Sequence, residues 1–142
     1  RRTLDEALSQ EVDAFNALGS GKAAFSVTGE KSELPPDVQA ALLRICQESL
    51  TNVKKHSGAT EIDVELEFQP DDVCLTVRDN GKGYESNGEG PQRGQGGFGL
   101  IGMEQRVLLL RGSFRIDSAS GKGTRVSVRI PTTWRTRGKQ PL

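Results

Sequence analysis

Residues 61–81 read EIDVELEFQPDDVCLTVRDNG, and this stretch is the strongest structural signal in the chain. Apolar residues alternate with polar ones over residues 61–68 and again over 73–78, which is the pattern of strands with one buried face. The PDD segment between the two runs, residues 70–72, is typical of a turn. We therefore predict a hairpin of two antiparallel strands that ends at DNG, residues 79–81.

Helical periodicity flanks this hairpin on both sides. Apolar residues recur every three or four positions over residues 3–18, 37–56 and 100–110, which predicts amphipathic helices. Further short strands are predicted at residues 24–27, 114–116 and 126–130. About five strands and three helices, joined by hairpins and crossovers, predict an α+β fold. The expected architecture is a two-layer sandwich with the helices on one face of a mixed, mostly antiparallel sheet.

The composition is that of one ordinary globular domain. The chain has 142 residues, 34% of them hydrophobic, and its 19 basic residues balance 19 acidic ones. Because a net charge of zero gives no field that attracts a polyanion, we expect no direct binding of nucleic acid. We expect the domain to span residues 1–131 and residues 132–142 to form a tail.

The cysteine and histidine content excludes two kinds of site. Cys46 and Cys74 are too few for a disulfide framework, and because each lies in an apolar segment we predict buried, reduced thiols. His56 is the only histidine, so a zinc site of His and Cys ligands is not expected. No apolar run approaches the roughly 20 residues that cross a bilayer. Since the chain begins at Arg1 without a methionine, we expect the cytoplasmic part of a longer protein.

A glycine-rich segment is the first of three clusters that suit a nucleotide. Residues 94–99, GQGGFG, follow a long polar stretch and lead directly into the helix predicted from Leu100. Free amides and the positive end of the helix dipole make such a junction an anion site. The GxGxxG pattern is weak by itself, because no strand precedes it as in a dinucleotide-binding fold. A flexible loop before a helix is the alternative interpretation.

The second cluster is DNGKG, residues 79–83. Asp79 ends a buried strand and could accept a hydrogen bond from the amino group of a flat heterocycle, while Gly81 and Gly83 would allow the ring to approach the backbone. The alternative is a DNG turn that is purely structural.

The third cluster lies on the second helix. Glu48, Asn52 and Lys55 share one face at helical spacing, and His56 lies beside them. An amide oxygen can bind Mg²⁺ and a lysine can bind phosphate, which together suit a metal-bound nucleotide. A solvated polar face is the alternative.

Taken together, the three clusters resemble the motifs of a known family. Residues 44–57, RICQESLTNVKKHS, look like the N-box of the ATP-binding domain of bacterial sensor histidine kinases. Residues 79–83 look like the first glycine box of that family, and residues 97–103, GFGLIGM, look like the second. These kinases are a branch of the GHKL superfamily, with gyrase, the MutL proteins and heat-shock chaperones. The N-box resembles most the subfamily whose response regulators carry helix-turn-helix output domains.

The resemblance implies a Bergerat-type fold that binds ATP and Mg²⁺. It also implies which residues contact the adenine base. Asp79 would accept the amino group of adenine, with Thr124 nearby. Gly81 and Gly83 would shape the base pocket, and His56 would pack beside the ring.

The phosphate end is assigned in the same way. Asn52 would bind Mg²⁺, Lys55 would pair with a phosphate, and Glu48 is the N-box acid. Residues 84–97 would form an ATP lid, in which Arg93 is a candidate for the β- or γ-phosphate. Backbone amides for the phosphates would come from the second glycine box, at Gly97, Gly99, Leu100 and Gly102.

The resemblance also implies partners. Sensor histidine kinases transfer the γ-phosphoryl group of ATP to a histidine on a separate dimerisation domain, and from there to a response regulator. The helix at residues 3–18 carries no histidine, so this chain is expected to bind ATP without phosphorylating itself. We expect a monomer here and a homodimer for the longer protein. The alternatives are a GHKL serine kinase of the anti-sigma type and a non-catalytic nucleotide-binding docking module.

Overall fold

The computed structural model describes residues 2–82 and 98–132. The predicted lid at residues 84–97 with Arg93, the glycines Gly83 and Gly97, and the tail from residue 133 lie outside the described residues. Among the helices of residues 2–82 and 98–132, none has the length and apolar content of a membrane-spanning segment. In these ranges the elements are, in chain order, α1 (Leu4–Ala17), β1 (Lys22–Gly29), α2 (Pro36–Asn52), a π-helical segment (Val53–Ser57), β2 (Glu61–Phe68), β3 (Asp72–Asp79), α3 (Phe98–Leu109), β4 (Ser113–Ser118) and β5 (Thr124–Pro131).

The strands of the described residues form one five-stranded sheet in the order β1-β2-β3-β5-β4. β1 runs parallel to β2, and the other neighbours are antiparallel. A parallel pair requires a crossover connection, which α2 supplies here. The predicted α+β sandwich with a mixed, mostly antiparallel sheet is therefore confirmed, and so is the hairpin of β2 and β3.

The two faces of the sheet differ because the strands alternate in polarity. β2 buries every second residue and exposes the acidic residues between them. The helices cover the apolar face, where α1 contacts β1 and α2 contacts β3 and β5. Fully burying one Leu or Ile side chain contributes about 1.5–3 kcal/mol, so a register slip that exposed this face would be costly. The largest fully buried side chains are Leu8, Leu42, Ile45, Ile62, Leu66, Leu75 and Ile130.

α1 packs into the same core as the sheet. A capping box starts this helix: Thr3 Oγ1 accepts a hydrogen bond from Glu6 N–H, and the Glu6 carboxylate accepts one from Thr3 N–H at 2.8 Å. The apolar stripe predicted from the spacing is buried as expected, at Leu4, Leu8, Val12 and Phe15.

The second helix changes its winding near the candidate site. Pro36 occupies its first turn, a position where proline is favoured. The α-helix ends at Asn52, and the chain continues as a π-helix to Ser57. Gly58 then ends the helical stretch with φ of 65°, in the region that glycine favours. The predicted helix to His56 is right in extent and wrong in winding, because apolar periodicity does not detect one wide turn.

Two further boundaries differ from the prediction. β1 spans residues 22–29 rather than 24–27, because all eight of its residues pair with β2. Pairing with a neighbouring strand extends β1 beyond its apolar residues. α3 starts at Phe98, two residues before the predicted start at Leu100.

The two cysteines lie in different environments. Cys46 on α2 is fully buried, as predicted. The prediction for Cys74 is wrong, because this side chain is only partly buried. β3 alternates strictly, so Val73 and Leu75 face the helices and Cys74 faces the open side of the sheet. Apolar neighbours suggested burial, whereas the two-residue period of the strand decides it.

We predict that a thiol reagent distinguishes these cysteines. Burial, aided by the nearby Glu11 carboxylate, raises the pKa of the Cys46 thiol to about 12. Burial also raises the pKa of Cys74, with a contribution from Glu67. Since the thiolate is the nucleophile, Cys74 should react slowly at pH 7 and faster as the pH rises. Mass spectrometry after iodoacetamide treatment should show modified Cys74 and protected Cys46. Modification of Cys46 first in the folded chain would contradict its burial.

Candidate functional site

Four polar side chains are buried in the interior of the described residues. Their exposed fractions are 3% for Ser49, 7% for Asn52, 7% for Asp79 and 9% for Thr124. Ser49 and Asn52 lie on α2, Asp79 ends β3 and Thr124 begins β5. Burying a polar group costs free energy unless it is hydrogen-bonded, so such groups mark a site better than exposed ones do. Three of the four, Asn52, Asp79 and Thr124, were named from the sequence as candidate site residues, and Ser49 was not.

Strand pairing brings Asp79 and Thr124 together. Asp79 pairs with Ile62 on β2 and with Thr124 on β5, so both polar residues lie at the same end of the sheet and face the helices. Asp79 Oδ1 accepts a hydrogen bond from Gly81 N–H at 2.8 Å. Thr124 Oγ1 and Ser118 Oγ are 2.9 Å apart. These contacts orient the carboxylate and the hydroxyl, and they meet the expectation that Thr124 lies near Asp79.

Asn80 holds this corner of the sheet together. Its Oδ1 accepts hydrogen bonds from Thr60 N–H at 2.9 Å and Glu61 N–H at 3.0 Å, and its Nδ2 donates to Thr60 Oγ1 at 3.1 Å. The side chain thereby ties the end of β3 to the start of β2. In the DNG motif, Asn80 has the structural role of a turn residue, whereas Asp79 points into the interior.

Gly123 is a structurally constrained position beside Asp79 that the sequence analysis missed. Its φ is +78°, and a Cβ built on it would lie 2.0 Å from the Asp79 carbonyl oxygen. The turn between β4 and β5 therefore packs against the backbone of Asp79, and only glycine permits that approach. The GKGT turn at residues 121–124 is visible in the sequence, but the pairing of β3 with β5 determines what it contacts.

Asn52 has the properties of a ligand-binding residue. It is almost fully buried, and its Nδ2 has no hydrogen-bond partner among the described residues. A carboxamide oxygen is a hard ligand of the kind that Mg²⁺ prefers. The described residues contain no group of three or more His, Cys, Asp or Glu that could hold a metal ion. The unpaired Nδ2 can donate to an oxygen of a ligand, and the amide oxygen is of the type that would bind a magnesium ion whose other ligands are phosphate oxygens and water.

The other candidates on this helix lie in different environments. Glu48 is partly exposed, and its Oε1 lies 3.3 Å from Arg44 Nη2. Lys55 is exposed in the π-helical segment, and the side chain of His56 lies outside what the structure describes. The expectation that Glu48, Asn52 and Lys55 share a face assumed α-helical spacing, which ends at Asn52. Of these three side chains, Asn52 is the buried one.

The start of α3 places the second glycine box at a helix N-terminus, as expected. Gly99 and Leu100 fall in the first turn, where backbone N–H groups lack partners within the helix. Such amides favour an anion. Gly102 lies in the next turn, where helical geometry directs its N–H to a carbonyl of the helix. Gly102 is exposed, and a Cβ built on it would meet no atom within 4 Å.

This environment gives a prediction for Gly102→Ala. Alanine in a helix interior should raise the free energy of unfolding by up to about 1 kcal/mol, since no contact opposes the added methyl. If phosphates pass over Gly102, the same methyl should lower nucleotide affinity about tenfold or more. Chemical denaturation and calorimetric titration with ADP measure the two effects. Gln105→Ala, on an exposed position of the same helix, should leave affinity unchanged. Unaltered affinity in Gly102→Ala would remove Gly102 from the phosphate site.

A recess of about 420 Å³ lies on the other side of the sheet near Asp79. Its lining includes Ala24, Asp63 and Arg78, which are exposed on the face opposite the helices. Neither Asn52 nor Thr124 lines it. Of the four buried polar residues, Asp79 is the one that lines this recess, so the recess touches the candidate site at the end of β3.

Comparison with known proteins agrees with the geometry. Residues 37–133 match the family described as histidine kinase-, DNA gyrase B-, and HSP90-like ATPase. The matched range runs from α2 to β5 and includes all four buried polar residues. The chain belongs to this ATPase family, whose domain is the catalytic ATP-binding module of histidine kinases.

Similar curated proteins are bacterial sensor kinases. The signal transduction histidine-protein kinase/phosphatase DegS of Bacillus subtilis is 40% identical over 115 residues, which cover 80% of this chain and 30% of DegS. The sensor protein VraS of Staphylococcus epidermidis is 35% identical over 99 residues, or 70% of this chain and 27% of VraS. The sensor histidine kinase LnrJ of Bacillus subtilis is 31% identical over 125 residues, or 88% of this chain and 30% of LnrJ. The chain thus spans less than a third of the length of these relatives.

Solved structures show the same fold. The histidine kinase domain of the Erythrobacter litoralis EL346 blue-light activated histidine kinase superposes with a TM-score of 0.77 at 21% identity, covering 94% of this chain and 67% of that chain. The Acinetobacter baumannii histidine kinase AdeS superposes with a TM-score of 0.70 at 16% identity, covering 89% of this chain and 64% of that chain.

Proposed function

We propose that this domain binds ATP with Mg²⁺ and supplies the γ-phosphoryl group to a histidine on a separate domain of a two-component sensor kinase. One observation carries the proposal. Asn52, Asp79 and Thr124 are buried polar residues where α2 packs against β3 and β5, in a chain of the histidine kinase-like ATPase family.

The base would bind at the end of β3. The Asp79 carboxylate, oriented by Gly81 N–H, would accept a hydrogen bond from the adenine amino group, and Thr124 would lie beside it. Gly81 and Gly83 would let the ring approach the backbone, and His56 would pack against the ring. This polar contact would select for the base that can satisfy it.

The phosphates would extend from Asn52 towards the start of α3. Asn52 would offer its amide oxygen to Mg²⁺, which would supply positive charge that neutralises the phosphates. Lys55 would add a positive charge. Backbone amides at Gly97, Gly99 and Leu100, with Arg93 of the lid, would hold the terminal phosphates. Glu48 is assigned by the N-box alone, since its carboxylate pairs with Arg44.

The transfer step requires positioning more than covalent chemistry from this domain. An imidazole nitrogen of the acceptor histidine would attack the γ-phosphorus. The new N–P bond forms as the bond from the β–γ bridging oxygen to phosphorus breaks, ADP leaves, and the imidazole proton passes to water or to a base of the acceptor domain. The domain's contribution is to hold the triphosphate in line and to neutralise its charge.

The partners follow from the same proposal. They are the dimerisation domain with its phosphoacceptor histidine and a response regulator with a DNA-binding output domain. The complete protein would be a homodimer that acts on the cytoplasmic side. The ATP-binding unit would comprise residues 1–131, because α1 packs into the same core as the sheet. The named relatives are sensor kinases, which favours this function over a serine kinase of the anti-sigma type or a docking module.

The proposal is tested by calorimetric titration with ADP and with a non-hydrolysable ATP analogue, each with and without Mg²⁺. We expect saturable binding that Mg²⁺ strengthens and that GTP does not reproduce. Asn52→Ala should remove most of the Mg²⁺-dependent gain while leaving metal-free binding within about threefold. Thr51→Ala, on an exposed position of the same helix, is the control. Absence of adenine nucleotide binding would overturn the proposal, and an undiminished Mg²⁺ effect in Asn52→Ala would remove Asn52 from the metal site.

Transfer itself is tested by adding the dimerisation domain of the parent protein to this chain with labelled ATP. Acid-labile, base-stable phosphate should appear on the added domain and not on this chain. Stable phosphohistidine on this chain alone would contradict the assignment of an external acceptor.

A further inference from the structure

Ser49 is the most deeply buried polar residue of the described chain. It is 3% exposed, and its Oγ has no hydrogen-bond partner among the described residues. An unpaired buried hydroxyl loses its hydrogen bonds to water without replacement, which costs free energy, whereas alanine at the same place has no such cost. The protein interior therefore gives no reason for a serine at this position.

Local helix geometry does not satisfy this hydroxyl either. Serine and threonine inside helices commonly donate to the carbonyl four residues earlier. Thr51, two residues further along α2, does so, because its Oγ1 donates to the Gln47 carbonyl at 2.9 Å. Ser49 makes no such bond. Neither its own helix nor any other described residue therefore satisfies this hydroxyl.

The position of Ser49 points to the base end of the site. It lies one helical turn before Asn52 on the buried side of α2, and α2 packs against β3 and β5. Those strands carry Asp79 and Thr124 at their paired ends. Asn52 lies at the end of α2 that leads to Lys55, and Ser49, one turn earlier, is the more buried of the two. This burial suits a contact with the base of a nucleotide better than one with its charged phosphates.

We propose that Ser49 is a specificity-determining residue whose hydroxyl donates a hydrogen bond to a ring nitrogen of adenine, directly or through one water molecule. The inference rests on the proposed function. The amino group of adenine is a donor, and the ring nitrogens on either side of it, N1 and N7, are acceptors. A carboxylate acceptor at Asp79 and a hydroxyl donor at Ser49 match that alternation. Guanine places a carbonyl oxygen opposite the Asp79 carboxylate and fails to match it.

The first experiment compares Ser49→Ala with Thr51→Ala by denaturation and ADP titration. Ser49→Ala should leave the unfolding midpoint unchanged or raised, because it removes an unsatisfied polar group, and should lower ADP affinity about tenfold. Thr51→Ala removes a hydroxyl from the exposed side of the same helix and should leave affinity unchanged. Equal ADP affinity in the native chain and Ser49→Ala would overturn the inference.

The second experiment identifies the bonded atom with 1-deaza-ADP and 7-deaza-ADP, each of which lacks one ring nitrogen. The affinity loss caused by Ser49→Ala should disappear with at least one of these analogues. The same loss with both would show that Ser49 does not bond to a ring nitrogen and would overturn the inference. If the native chain fails to bind ADP at all, the proposed function falls and the inference with it. If it binds ADP and only the Ser49 effects are missing, the inference alone falls.

Discussion

Asp79→Asn is expected to lower ADP affinity about a hundredfold while leaving the fold intact. The amide oxygen can replace Oδ1 as acceptor for Gly81 N–H, so the turn that orients residue 79 should persist. The amide nitrogen would then face the amino group of the base, which places two donors together. Losing a charged acceptor and gaining an unsatisfied donor together cost about 3 kcal/mol.

Calorimetric titration and thermal unfolding measure the two parts of this prediction. Asp63→Asn is the matched control, because Asp63 is an exposed carboxylate on the neighbouring strand and faces away from the helices. It should bind ADP as the native chain does. The residual affinity of Asp79→Asn should still increase with Mg²⁺, since Asn52 is unchanged. A loss smaller than about threefold in Asp79→Asn would exclude a direct contact with the base.

Gly123→Ala is expected to lower the free energy of unfolding by about 3 kcal/mol or more. The added Cβ would lie 2.0 Å from the Asp79 carbonyl oxygen, at a φ of +78° that side chains rarely adopt. Relief of this clash must move either the turn or the end of β3. Because Asp79 is at that end, nucleotide affinity should fall as well.

Gly121→Ala separates the two causes of the destabilisation, which are the clash with Asp79 and the positive φ. Gly121 has the same φ of +78°, and a Cβ built on it would meet no atom within 4 Å. Its substitution should therefore carry the conformational cost alone, about 1 kcal/mol. Urea denaturation of both variants gives the difference that belongs to the contact with Asp79. Equal destabilisation of the two variants would show that Gly123 does not pack against β3.

Strong local patterns account for what could be predicted of the fold. The alternation over residues 61–68 and 73–78 determined β2 and β3, because each strand has one buried face. The three- and four-residue spacings determined the helices, because an amphipathic helix also has one buried face. Boundaries were less predictable where a neighbouring chain segment decides them: β1 is longer than its apolar pattern because β2 pairs with all of it.

The residues of the candidate site also divide into those that a local motif predicts and those whose role depends on distant segments. Asp79, Asn52 and Thr124 could be named from motifs, because each is a polar residue within a recognisable local pattern, and all three are buried. Asn80 and Gly123 could not, since their roles depend on contacts between segments.

The sequence by itself determined the α+β class, the two-faced sheet and the residue types available to a nucleotide, because these follow from spacing along one segment. Tertiary structure alone decided which polar groups lose water and which find partners. It buried Ser49 without a partner and left Cys74 partly exposed. It also changed the winding of the helix after Asn52. Burial and hydrogen bonding depend on atoms from distant parts of the chain, and local periodicity contains no information about them.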